Sequence, residues 1–175
     1  VRRAAERFGD REGLVDGDVR LTFAELATEI DRAARALIAS GVEPGDRIAL
    51  WAPNVYEWAV AALGTHSVGG VVIPLNTRFK GAEAGYVLNA SGARRLFTVT
   101  DFLDTNYVSL LQDAFATDTL DDLVILRGAV PDGCTSWFDF MDRAGGVDPS
   151  VSRRRADAVQ PDDLCDILFT SGTTG

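Results

Sequence analysis

Apolar and polar positions recur with two different periods along this chain, and the switches between them mark out its elements. Leu14-Val15-Asp16-Gly17-Asp18-Val19-Arg20-Leu21-Thr22 reads as a β-hairpin, with Asp16-Gly17 supplying the positive φ that a tight turn wants. A helix follows at once, because Thr22 is a good N-cap and Glu25, three residues on, completes a capping box. Phe23, Leu26, Ala27, Ile30, Ala33, Ala34, Leu37 and Ile38 then recur at three- and four-residue spacing, one apolar stripe that Gly41 is placed to end. Pro44-Gly45-Asp46 turns the chain into a strand over Arg47–Trp51. Asn54 with Glu57 repeats the cap signal for a second helix, which runs to about Val68 before Gly69-Gly70 stops it. Val71-Val72-Ile73-Pro74-Leu75 is apolar on both faces, as strands inside a parallel sheet are, and Pro74 marks its end.

Further on, the pattern predicts helices near residues 81–90 and 103–116 and strands over 94–99 and 123–126. A short helix is expected over 137–143. Strand and helix alternate at βαβ spacing, so the predicted fold class is α/β, a mainly parallel sheet flanked by helices. No internal repeat is visible. Residues 145–163 break the pattern: they are rich in Gly, Pro, Asp and Arg without an apolar period, and read as a linker. The predicted organisation is therefore an α/β subdomain over 1–144, a linker over 145–163, and a strand with the start of a loop over 164–175. Arg153-Arg154-Arg155 lies inside the linker and reads as solvated charge; contact with a phosphate-bearing cofactor such as CoA is the lesser reading.

The last stretch carries the candidate chemistry. Ile167-Leu168-Phe169 reads as a buried strand, and it empties into Thr170-Ser171-Gly172-Thr173-Thr174-Gly175. Glycines let a backbone approach a polyanion with its N–H groups turned inward, and hydroxyls donate to phosphate oxygens. A strand that ends in such a loop is where open α/β sheets place their ligand. A Ser/Thr/Gly-rich turn after a strand is also common, so composition alone leaves phosphate binding as one of two readings. The stretch is neither a Walker A loop, which needs a lysine absent here, nor the dinucleotide G-x-G-x-x-G.

Composition narrows the function classes. A chain of 175 residues with 46% hydrophobic and 25% charged residues is an ordinary globular one, long enough for a real core. No run approaches a membrane span, the start is no signal peptide, and the lack of an initial Met allows for residues upstream. The formal charge of −9 argues against nucleic acid or an anionic membrane as partner. Cys134 and Cys165 sit in no ligand pattern; Cys165, beside an apolar strand, reads as a small core residue, and a reducing cytoplasm fits. His66, the single histidine, reads as a structural side chain inside a helix, because one His without partners makes neither a triad nor a metal site. Asn76 and Arg78 are expected to fix a turn by hydrogen bonds, and Trp51 and Trp58 to lie in the core between sheet and helices.

Thr170 to Gly175 resembles the first half of the phosphate loop of the adenylate-forming (AMP-binding) superfamily, which holds acyl-CoA synthetases, luciferases and the adenylation domains of peptide synthetases. In that family the loop continues with one residue and then Pro-Lys-Gly. Here the chain stops inside the motif, so it is expected to be a fragment. The resemblance extends to Leu21-Thr22-Phe23-Ala24-Glu25-Leu26, to Gly45-Asp46-Arg47-Ile48-Ala49, to Pro53-Asn54 with Glu57, and to Gly69-Gly70-Val71-Val72-Ile73-Pro74-Leu75-Asn76-Thr77-Arg78. It covers about residues 14–91 and 161–175, and each piece is weak alone while their order is specific. Residues 74–79 and 167–175 are most similar to bacterial CoA ligases of fatty-acid and sterol degradation, one of which acts on a bicyclic propanoate.

The resemblance implies the N-terminal part of an acyl-CoA synthetase. Such an enzyme adenylates a small-molecule carboxylic acid with ATP, releases pyrophosphate, and passes the acyl group to CoA. Thr170, Ser171, Thr173 and Thr174 would donate hydroxyls to phosphate oxygens, Gly172 and Gly175 would give close backbone approach, and Mg²⁺ would share the charge. No catalytic residue or metal ligand is assigned within the chain, and turnover by this piece alone is not expected. One alternative is an enzyme loading an amino or aryl acid onto a carrier protein. Another is a non-catalytic binding or oligomerisation module. A nicotinamide oxidoreductase is disfavoured, because no glycine fingerprint follows an early strand. Oligomeric state is left open.

Overall fold

The computed structural model describes residues 1–170; Ser171, Gly172, Thr173, Thr174 and Gly175 lie outside the described residues. A short helix that the sequence pattern did not single out, α1 (Arg2–Phe8), leads into the predicted hairpin of β1 (Glu12–Asp16) and β2 (Val19–Thr22), which pair antiparallel. Gly17 takes a φ of 58° in its turn. The capping box forms as expected at α2 (Phe23–Ala39): the Glu25 N–H donates to Thr22 Oγ1, and the Thr22 N–H donates to the Glu25 carboxylate. Leu26, Ile30, Ala33, Ala34, Ala36 and Leu37 bury one face of this helix.

The main sheet has the order β4-β3-β5-β6-β7, all parallel. Its strands are β3 (Arg47–Trp51), β4 (Val71–Pro74), β5 (Arg95–Val99), β6 (Asp122–Arg127) and the two-residue β7 (Thr135–Ser136). The helices between them are α3 (Tyr56–Ser67), α4 (Gly81–Ser91) and α5 (Tyr107–Gln112), with α6 (Trp137–Asp142) after β7. The chain steps from β3 to β4 in one direction and from β4 back to β5 in the other, so right-handed crossovers put α3 and α4 on opposite faces. In keeping with this, α2 packs on α3 while α4 packs on α5. Ile48, Ala49, Leu50, Ile73, Leu96 and Phe97 are buried between the layers, the both-faces burial that unbroken apolar strands imply.

Five expectations are corrected. Residues 145–163 are not a bare linker: Pro149–Ala158 form helix α7, with the Asp148 side chain accepting the Ser150 N–H and Pro149 in the first turn. Only Ser152 of this helix is buried, so it carries no apolar stripe to read. The second sequence-predicted helix starts at Tyr56 after Val55, without a side-chain cap from Asn54. The helix predicted over 103–116 shrinks to Tyr107–Gln112, because Leu103 and Asp104 adopt φ values of 51° and 57°. The fourth concerns residues 167–169, expected as a buried strand. Among the described residues they make no ladder beyond a single parallel bridge of Val72 with Asp166, and Leu168 is 70% exposed. Cys165, expected in the core, is exposed with them.

Candidate functional site

The carboxyl ends of the parallel strands form the face at which an α/β sheet binds ligands, and its side chains here are held on all sides. Trp51, at the end of β3, is fully buried and donates its indole N–H to the Asn76 carbonyl at 3.1 Å. Its ring stacks on Tyr107 at 4.5 Å, and the Tyr107 hydroxyl donates to the Thr77 carbonyl at 2.9 Å. Burial pushes the Tyr107 phenol above its ordinary pKa, so the hydroxyl stays a donor. The Asn76 side chain accepts the Arg78 N–H at 2.9 Å, so Asn76 does fix the turn, whereas Arg78 contributes its backbone. Trp58 is half-buried against the core.

Ala52, Asn54, Trp58, Leu75, Asn76 and Phe102 are among the residues that line a cavity of about 440 Å³ at this end. Its wall is apolar with amides at intervals and no charge. A second cluster braces the same end. The Arg127 guanidinium, closing β6, meets both Glu57 oxygens at 2.9 and 3.0 Å and also reaches Asp16 of the hairpin. Glu57 is only 5% exposed, so its charge needs this partner. The Tyr56 N–H, followed by Arg127, holds the Asp16 carboxyl below the ordinary carboxylate range. Sequence reading missed this triad, since its three members lie on separate elements and share no spacing.

The segment that leads to the predicted phosphate loop joins the β4 edge. The Val72 N–H donates to the Cys165 carbonyl at 2.8 Å, and the Ile167 N–H donates to the Val72 carbonyl at 3.0 Å. Because the bridge is parallel, the segment runs toward the carboxyl ends of the sheet, and Thr170 is its last described residue. Thr170 is exposed; Ser171, Gly172, Thr173, Thr174 and Gly175 lie outside the described residues. His66, near the end of α3, sets Nε2 3.3 Å from Asp166 Oδ1. The Cys165 thiol donates to Asp166 Oδ2 at 3.2 Å, and that carboxylate raises the thiol's pKa, which makes Cys165 a poor nucleophile. Of the predicted arginine run, Arg155 donates to the Val42 carbonyl and to Glu43, and Arg154 donates to Ser150; these are ties within the fold.

The AMP-binding enzyme family, by its sequence model, matches residues 1–175. The chain belongs to that family. A 3-[(3aS,4S,7aS)-7a-methyl-1,5-dioxo-octahydro-1H-inden-4-yl]propanoyl:CoA ligase of Rhodococcus jostii is 40% identical over 181 residues, covering 100% of this chain and 35% of the relative. The enzyme of the same name from Mycobacterium tuberculosis is 42% identical over 173 residues, 99% of this chain and 33% of the relative. This AMP-binding chain therefore spans about a third of the length of the curated relatives it matches. The fold is also that of solved family members. The inhibitor-bound N-terminal domain of FACL13 from M. tuberculosis superposes with a TM-score of 0.76 at 26% identity, over 99% of this chain and 40% of that one. The anthranilate CoA ligase AuaEII gives a TM-score of 0.82 at 24% identity, over 99% of this chain and 32% of that one.

Proposed function

We propose that this AMP-binding chain is the N-terminal part of an ATP-dependent carboxylic acid:CoA ligase whose acid is a propanoate carried on a neutral, oxygenated bicyclic ring. The observation that carries the reading is the 40% and 42% identity, over essentially the whole chain, to the two propanoyl:CoA ligases. Two unpaired thiols, Cys134 and Cys165, support the cytoplasmic setting that the sequence suggests.

A carboxylate is a poor electrophile, so one of its oxygens must become part of a leaving group. In the first step a carboxylate oxygen attacks the α-phosphorus of ATP. The bond to the bridging oxygen breaks, and pyrophosphate departs with the electron pair. In the second, the CoA thiol loses its proton and attacks the acyl carbon, and AMP leaves. Negative charge grows on the departing pyrophosphate in step one, and preorganised donors stabilise it there. The proposed donors are the hydroxyls of Thr170, Ser171, Thr173 and Thr174, with Gly172 and Gly175 letting the backbone close in. Among the described residues no group of three or more His, Cys, Asp or Glu side chains is placed to hold a metal ion; the Mg²⁺ that the resemblance implies would share the phosphate charge.

The test uses a polypeptide that carries this chain together with the length its relatives have beyond it. ATP–pyrophosphate exchange that depends on the bicyclic propanoate, followed by CoA thioester formation, is the expected result. Exchange without thioester formation would point to a carrier-protein acceptor, and no exchange with any acid would point to a non-catalytic module. Thr173→Ala and Thr174→Ala should each slow adenylation by about a hundredfold to a thousandfold, the scale of losing one transition-state donor. Unchanged rates would remove both from the site.

A further inference from the structure

We propose that His66 is a positioning residue: acting through Asp166, it holds the segment that carries the phosphate loop against the sheet. The inference rests on the function proposed above only for its consequence in the reaction, not for the tether itself.

The segment over 165–170 is held lightly. Among the described residues its backbone makes two hydrogen bonds to the body of the fold, both to Val72, and Ile167 and Phe169 pack only partly against the core. Phe169 meets Tyr86 edge to face at 6.3 Å, but Tyr86 is itself exposed. Asp166 sits between the two backbone bonds, so whatever fixes Asp166 fixes the register of the segment on β4. Its Oδ1 lies against His66 Nε2, and its Oδ2 takes the Cys165 thiol.

A carboxylate only accepts hydrogen bonds, so Nε2 is the nitrogen that carries the proton in this contact. His66 stands on α3, whose other end supplies Glu57 to the Arg127 cluster. One rigid helix therefore spans from the brace at the carboxyl ends of the strands to the tether on the edge segment. A loop that must hold several donors on the phosphates of ATP binds the nucleotide less tightly when its stem shifts by even a fraction of an ångström. The two residues are 100 positions apart in sequence, and no other described polar side-chain contact joins the segment over 165–170 to the rest of the fold.

The test combines two readouts on His66→Ala, His66→Gln and Asp166→Asn. Amide hydrogen exchange on the 175-residue chain should quicken at Ile167 and Val72 in His66→Ala while the β5 amides keep their protection. In the longer polypeptide, His66→Ala and Asp166→Asn should each raise the KM for ATP roughly threefold to fivefold, the scale of one partly exposed hydrogen bond, and leave the KM for the acid unchanged. A general loss of folded enzyme would lower kcat and leave both KM values alone. His66→Gln, which keeps a donor on that face of α3, should recover most of the ATP effect, and the double variant should be no worse than either single one. Unchanged exchange at Ile167 and Val72 in His66→Ala overturns the tether. Altered exchange with an unchanged KM for ATP overturns the positioning role. If the unsubstituted polypeptide shows no pyrophosphate exchange at all, the proposed function fails, and the amide exchange alone decides the tether.

Discussion

Arg127, Glu57 and Asp16 show what one guanidinium can hold together. It satisfies a buried carboxylate on α3 and, through Asp16, fastens the N-terminal hairpin to the end of β6. Removing Arg127 leaves the largely buried Glu57 carboxylate unpaired, and because the guanidinium is itself about a third exposed the cost falls below the roughly 3–5 kcal/mol of a fully buried pair. Asp16 has a consequence for pH. Its folded pKa lies below the ordinary 3.8, held down by the Tyr56 N–H and by Arg127, so it binds its proton less readily folded than unfolded. The stability it contributes is complete above the unfolded value and is lost as pH falls through the folded one. Asp16→Asn should therefore lower stability near neutral pH and flatten its decline in acid. Urea midpoints measured from about pH 6 down to about pH 3 check this, and parallel acid limbs for the two proteins would contradict it.

At the scale of elements, the contact between α2 and α3 depends on a missing side chain. A Cβ at Gly64 would lie 2.8 Å from the Ala33 Cβ and 3.3 Å from the Ala34 nitrogen, both on a helix that cannot yield locally. Gly64→Val should cost about 1–3 kcal/mol through overpacking, which outweighs the few tenths of a kcal/mol gained in helix propensity. A lower urea midpoint at constant slope would register this as a loss of stability alone. Much at this scale was legible in the sequence. The capping box at Thr22 and Glu25 is a local code read at fixed spacing, and the strands β3 and β4 declare themselves as short apolar runs beside turn residues. Helix α7 was not legible by period, since its contacts are polar, although Asp148-Pro149 is a start signal available to composition-free reading. The run over 167–169 misled because apolar content reports a need for burial, and the described residues cover only one side of it. The pairing of His66 with Asp166 leaves no trace in either stretch, because nothing local distinguishes a histidine with a distant partner from one without.

For the whole molecule, the question is how far the sheet depends on its last segment. Among the described residues two backbone hydrogen bonds join that segment to β4, and each contributes about 0.5–1.5 kcal/mol net. A chain cut after Val159 should keep the circular dichroism of the intact one and unfold cooperatively, at a stability lower by roughly 1–3 kcal/mol. It should also self-associate, because the cut uncovers the N–H and C=O groups of Val72 along an apolar edge. Sedimentation of the two chains at matched concentration tests the second part, and a strictly monomeric cut chain would contradict it.

Strand order gives the β4 edge a history as well as a geometry. As the chain leaves the ribosome, β3 and β4 emerge first and can pair at once; β5, β6 and β7 then add one by one on the far side of β3. The segment that closes the β4 side arrives about 90 residues later, which at 5–20 residues per second means roughly 5–20 s of waiting. Throughout that interval a nascent sheet presents an unpaired apolar strand to its surroundings. The stem of the proposed phosphate loop is thus the last piece of the described fold to be laid down, and until it arrives the β4 edge stays open to pairing with a neighbouring chain.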